Sequence, residues 1–281
     1  MKVAIFLSLL IIIVLSIWLI PILKKLQRKR IAAQPFPAEW TNIIERYLPI
    51  YGNLPGSIKS RLHCHINVFL KEKQFLGCNG LVINDEIKVT IASLACLLLL
   101  NERGEYYPNL CSILVYPSSF SVKTIKPLGS FFVEESQEVR LGESWSKGIV
   151  VLSWDQIQQD SYSWYAGHNV ILHEFAHQLD QEDGIANGVP ILETQADYRR
   201  WAEVFTKEYH QLSRDLEWGL PTVIDVYGAT EPAEFFAVVT ETFFTKPQQM
   251  KRGHPELYDE LQRYYRLDPS EWTWECQSRL N

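Results

Sequence analysis

Val170-Ile171-Leu172-His173-Glu174-Phe175-Ala176-His177-Gln178-Leu179-Asp180 is the stretch around which the chain is organised. Its flanks are apolar on the side away from the histidines (Val170, Ile171, Leu172, Phe175, Ala176), which predicts a helix buried on its back. Residues four apart share a helix face, so His173 and His177 can aim both imidazoles at one metal ion. Zinc takes imidazole nitrogen at about 2.0–2.1 Å and in catalytic sites keeps one of about four positions for water. Glu174 follows the first histidine and flanks that water, where a carboxylate can take its proton as it attacks a carbonyl. The competing reading is a core helix whose two histidines are merely hydrogen-bonded.

Two histidines call for a third protein ligand. Asp180 stands one turn past His177, and Asp183 three residues further on. Glu234 and Glu241 lie seven apart on a later helix and share one of its faces. Each acid has an ordinary alternative. Asp180 can orient a histidine from outside the ligand set, Glu234 can cap its helix, and Glu241 can be a solvated side chain. Spacing alone divides the choice between Glu234 and Glu241.

Outward from this stretch, Thr194 to Trp218 reads as a long amphipathic helix ending at Gly219, and Pro232 opens a helix that must stop before Pro247. A last helix covers Pro255 to Arg266. Upstream, Trp40–Tyr47, Ser57–Lys71 and Asp85–Leu100 are read as helices. The last is apolar enough to resemble a membrane span but too short to be one. Phe75–Gly80, Cys111–Tyr116, Ser130–Val133, Glu138–Leu141 and Ile149–Ser153 read as extended, with Trp154-Asp155 beginning a short helix. A small sheet beside helices is an α+β arrangement.

Val3 to Leu23 holds no charged residue and is long enough to cross a bilayer as one helix. The basic cluster Lys24-Lys25-Leu26-Gln27-Arg28-Lys29-Arg30 follows it, which places the rest of the chain in the cytoplasm. The expected organisation is therefore an anchor with basic flank over 1–30, a Pro-containing linker over 31–38 and one catalytic domain over 39–281. The net charge is −6, but residues 1–30 carry six basic and no acidic side chains, leaving 21 basic against 33 acidic in the body. An acidic body argues against nucleic acid as a partner. Five scattered cysteines with no Cys-x-x-Cys pair do not form a disulfide framework and fit a reducing compartment.

Several blocks resemble one family. His173 to Asp180, Asn187-Gly188-Val189-Pro190, Tyr227-x-x-x-x-Pro232-Ala233-Glu234-Phe235-Phe236-Ala237 and Phe243-Phe244-x-x-Pro247 resemble the Mlc titration factor A family of zinc peptidases. Ile113 to Pro117, Gly142 to Trp145 and Val151 to Trp154 match it too. Over roughly residues 40–270 the resemblance implies a mostly helical, zincin-like domain with a small β-sheet, whose core is similar to that of anthrax lethal factor. It implies His173, His177 and Glu234 as ligands of one Zn²⁺ and Glu174 as general base. Tyr227, seven residues before the ligand Glu, would donate to the oxyanion. The implied activity is peptide hydrolysis, aminopeptidase-like on short peptides. The alternative is a regulatory protein that sequesters a transcriptional repressor, with zinc mainly structural. The best-known members are soluble and bind the repressor Mlc, so the N-terminal apolar segment is a departure from them.

Overall fold

The computed structural model describes residues 19–101, 105–118, 120–128, 132–140, 142–145 and 148–272. Most of the apolar run Val3–Leu23 lies outside the described residues. Among the described residues no helix is long and apolar enough to cross a membrane. Helix α1 covers 19–32 and runs through the basic cluster without a break. The stretch 31–38 is packed against the body. Ile31 is buried, the Gln34 carbonyl accepts from Asn67 Nδ2 at 3.0 Å, and Phe36 stacks on His63 with centroids 3.8 Å apart.

Helices α2 (Ala38–Tyr47) and α3 (Gly56–Glu72) follow, then strand β1 (Gln74–Gly77), helix α4 (Asp85–Leu97) and strand β2 (Ser112–Tyr116). Strands β3 (Phe120–Leu128) and β4 (Phe132–Arg140) pair antiparallel as a separate ribbon. Strands β5 (Gly142–Trp145) and β6 (Ile149–Ser153) complete a four-stranded sheet of order β1-β2-β6-β5. Within it β1, β2 and β6 are parallel, and β5 is an antiparallel edge. The inner strands place Ile113, Val115, Val150, Val151 and Leu152 in the core, the run of aliphatic residues expected of parallel strands.

Helix α4 is the crossover from β1 to β2, and every residue from Ile87 to Leu97 except Lys88 is buried. Its span-like hydropathy thus serves the centre of the protein. The helix starts where Asn84 Oδ1 accepts the Ile87 N–H. Its exposed first turn receives Trp40 Nε1 on Asp85, and Arg46 and Tyr47 on Glu86, tying it to α2.

The C-terminal half is helical: α5 (Trp154–Tyr162), α6 (Val170–Asp180), α7 (Gln195–Glu217), α8 (Pro232–Thr245), α9 (Pro247–Gly253) and α10 (Pro255–Tyr265). A capping box between Thr194 and Asp197 starts α7, and Pro232 opens α8 at a position where its missing N–H costs nothing. Helices α6 and α8 pack on each other, and α6 also lies against α4, α5 and the β5 edge. The α+β, mostly helical arrangement is as expected. The two extended runs read at Ser130–Val133 and Glu138–Leu141 fall, where they are described, in the single strand β4; Ser130, Phe131 and Leu141 lie outside the described residues.

Candidate metal centre

The site is built where α6 meets α8. Helix α6 begins with two of its free N–H groups taken up by side chains, which lowers the usual cost of a buried helix end. Asn169 Oδ1 accepts from Leu172 N at 3.0 Å, and Asp160 Oδ2 accepts from Val170 N at 2.7 Å. The Asn169 N–H is itself given to Glu241 Oε2. Asp160 is held in turn by Gln156 Nε2 at 2.6 Å.

From this fixed start His173 and His177 project toward Glu234, in the first turn of α8. Their Nε2 atoms are 3.2 Å apart. His173 Nε2 lies 3.0 Å from Glu234 Oε2, and His177 Nε2 3.4 Å from Glu234 Oε1. Among the described residues these three are the group of His, Cys, Asp or Glu able to surround one cation. Asp183 instead accepts the Ile185 N–H in a turn.

The donor chemistry fits a metal. His173 gives its Nδ1–H to Glu241 Oε1 at 2.7 Å, which leaves the Nε2 lone pair facing Glu234. Glu234 Oε2 is buried and accepts no hydrogen bond despite its closeness to that nitrogen. Two imidazole nitrogens and a carboxylate oxygen thus converge within 3.0–3.4 Å of one another, an arrangement that suits a cation. A tetrahedral ion with ligands at about 2.0–2.1 Å separates neighbouring ligand atoms by about 3.3 Å, close to the spacings observed. Without the ion the charges respond to one another. Burial pushes the Glu234 carboxyl up, but His173 and His177 outweigh it and hold it down to about 2. Burial likewise disfavours the His173 imidazolium, yet Glu234 and Glu241 raise its pKa well above the usual value.

Helix α8 grips the His173 ring from both sides, with Glu234 at Nε2 and Glu241 at Nδ1. Glu241 is therefore the carboxylate behind a ligand candidate and not solvated; it is 2% exposed. Its second oxygen also receives His168 Nδ1 at 2.9 Å. Asp180 does not touch a histidine through any described bond. It accepts the backbone N–H groups of Gly188 at 3.0 Å and Val189 at 2.8 Å, folding that loop against α8. Gly188 has φ +77°, and a Cβ there would stand 2.3 Å from the Pro232 carbonyl oxygen. Only glycine permits this approach. Buried Trp201 of α7 completes the brace by giving its Nε1–H to the Gly188 carbonyl at 3.0 Å.

Glu174, between the two histidines on α6, is buried at 4% exposure. Tyr227 lies in the short helical turn Val226–Ala229, half-exposed, with its ring centroid 6.1 Å from that of His173. His168, Asn169 and Asp160 were not singled out from sequence. The Asn before an apolar helix is a cap signal that was available. Contacts such as His168 to Glu241, across more than 70 residues, leave no local mark.

A model of the family described as glucose-regulated metallo-peptidase M90 matches residues 23–266. The chain is 47% identical over 267 residues to an uncharacterized protein of Synechocystis sp., covering 95% of this chain and 97% of that one. It is 31% identical to Mlc titration factor A of Salmonella choleraesuis, over 83% of this chain and 87% of that protein. With Mlc titration factor A of Salmonella arizonae the identity is also 31%, over 83% and 93% respectively.

Proposed function

The chain belongs to the glucose-regulated metallo-peptidase M90 family, and we propose that it is a membrane-anchored zinc peptidase acting on short peptides at the cytoplasmic face. The observation that carries the reading is the convergence of the His173, His177 and Glu234 ligand atoms, with buried Glu174 on the same helix as the two histidines. Those three residues would hold the zinc, which would supply Lewis acidity at the site. Glu174 takes the proton of the attacking water and returns it to the leaving amine. Tyr227, near the His173 ring and open to solvent, gives its hydroxyl proton as a hydrogen bond to the developing oxyanion. Glu241 holds His173 in the tautomer that leaves Nε2 bare. Among the described residues strand β5 is the sheet edge beside α6, and an extended peptide can add to such an edge as a further strand.

The names of the Salmonella relatives favour a second reading, in which the chain titrates a transcriptional repressor and zinc is mainly structural. Glu174 discriminates, because a structural site has no use for a general base. Glu174→Gln should keep zinc and lower peptide turnover by about a hundred- to ten-thousand-fold. Tyr227→Phe should lower it less, and Glu234→Ala should empty the site. Elemental analysis and hydrolysis of a short-peptide panel read all three. A parent-like rate in Glu174→Gln at matched zinc occupancy, or no hydrolysis by the parent, leaves the repressor reading as the better one.

A further inference from the structure

Buried Glu241 stands between two histidines. One oxygen accepts from His173, and the other accepts from His168 Nδ1 at 2.9 Å and from the Asn169 backbone. A carboxylate fixed at one oxygen alone turns easily about its last torsion, which is broad. Pinning the second oxygen from two directions fixes the first, and with it the plane of the His173 ring. The backbone arm of this clamp is part of the α6 start. The side-chain arm is His168, whose side chain is half-exposed at 50%.

The backbone holds His168 in place. Gly167 just before it has φ +99°, and a Cβ there would meet the Lys246 side chain at 2.5 Å. The chain therefore turns tightly into His168 against the C-terminal end of α8. The bond to Glu241 first, and then the neighbouring Asp160 carboxylate, favour the charged form of His168 over the opposing effects of burial and His173. That strengthens the bond, since hydrogen bonds between ionised partners are about twice as strong as neutral ones.

We propose that His168 is a positioning residue for the metal, acting through Glu241 to fix the ring of His173. The inference rests on the zinc reading above. It assigns a role in metal retention to a side chain that touches neither the metal nor the reacting atoms.

The test uses the full chain in detergent and zinc affinity measured by competition against a coloured chelator. His168→Leu removes the donor; His168→Asn places an amide N–H near the position of Nδ1. His168→Leu should bind zinc about tenfold more weakly, the lower end of the effect of outer-shell partners. His168→Asn should recover most of that loss. In zinc-loaded protein labelled with ¹⁵N-histidine, the His173 Nδ1–H signal should be sharp in the parent and His168→Asn and broadened by exchange in His168→Leu. Parent-like affinity and a sharp signal in His168→Leu overturn the proposal. So does an affinity in His168→Asn as low as in His168→Leu, since the donor would then not matter. A parent that binds no zinc sinks the metal reading as well, whereas a zinc-binding parent with an indifferent His168 sinks this inference alone.

Discussion

Gly188→Ala probes the brace that sets Glu234 opposite the histidines. Two costs can be separated. At φ +77° an alanine adopts the left-handed region, worth about 1–2 kcal/mol. Its Cβ would also stand 2.3 Å from the Pro232 carbonyl oxygen. Restoring ordinary contact displaces that backbone by roughly 1 Å, and forced overpacking costs typically about 1–3 kcal/mol. The total is about 2–5 kcal/mol. Gly184→Ala supplies the control, because Gly184 has φ +92° but nothing within 4 Å of its Cβ position. It should show the backbone cost alone. Urea denaturation of metal-free protein gives both losses, and their difference isolates the contact with Pro232. Because Pro232 lies two residues before Glu234, Gly188→Ala should also weaken zinc binding by about tenfold or more, while Gly184→Ala should not. Equal stability losses and equal zinc affinities in the two variants would refute the view that this contact sets the position of α8.

Two further outcomes are expected. Lys73 is buried and gives its ammonium protons to the Tyr107 and Leu110 carbonyls at 2.7 and 2.6 Å, yet burial lowers its pKa to about 8. Between about pH 8 and 10.5 the unfolded chain keeps a proton that the folded chain has released, so stability relative to Lys73→Met should rise across that window, by up to about 3 kcal/mol; denaturation at pH 7.5, 9 and 10.5 checks it, and a flat or falling difference contradicts it. For topology, a reporter that works only in the cytoplasm should be active when fused to the C-terminus, and activity of a periplasm-dependent reporter there would reverse the proposed orientation.

The helix carrying His173, Glu174 and His177 was legible because ligand spacing and apolar flanks are both local. The choice between Glu234 and Glu241 was not. Both lie on one face of α8, two turns apart, so either can face α6 depending on how far α8 slides along it. That offset is set by Gly188 against Pro232 and by Trp201 behind them, contacts between segments distant in sequence. Both acids turned out to engage the same imidazole from opposite edges, an outcome that a choice between them did not anticipate. Strand direction was hidden for a similar reason. The apolar runs at Ile113–Val115 and Val150–Leu152 predict burial on both faces, but parallel pairing depends on the path of α4 between β1 and β2. The short strand β5 gives too few residues for a period-two pattern to register.

The seam between α1 and the body has a mechanical meaning. Arg28 grips Glu72 with two bonds, at 2.7 and 2.9 Å, and its guanidinium lies 4.7 Å over the Tyr106 ring, while Ile31 is buried one turn on. No hinge separates the helix from the rest of the molecule at that point, so the helix acts as an axle. Each residue of an α-helix advances about 1.5 Å and turns about 100°. One residue added between Leu23 and Arg28 would therefore swing the whole domain through about 100° relative to whatever holds the preceding segment, while lifting it barely more than a bond length. Two added residues would point the metal centre nearly the opposite way. The direction in which the candidate metal centre looks is therefore set by the phase of this helix, which returns only after about 3.6 residues.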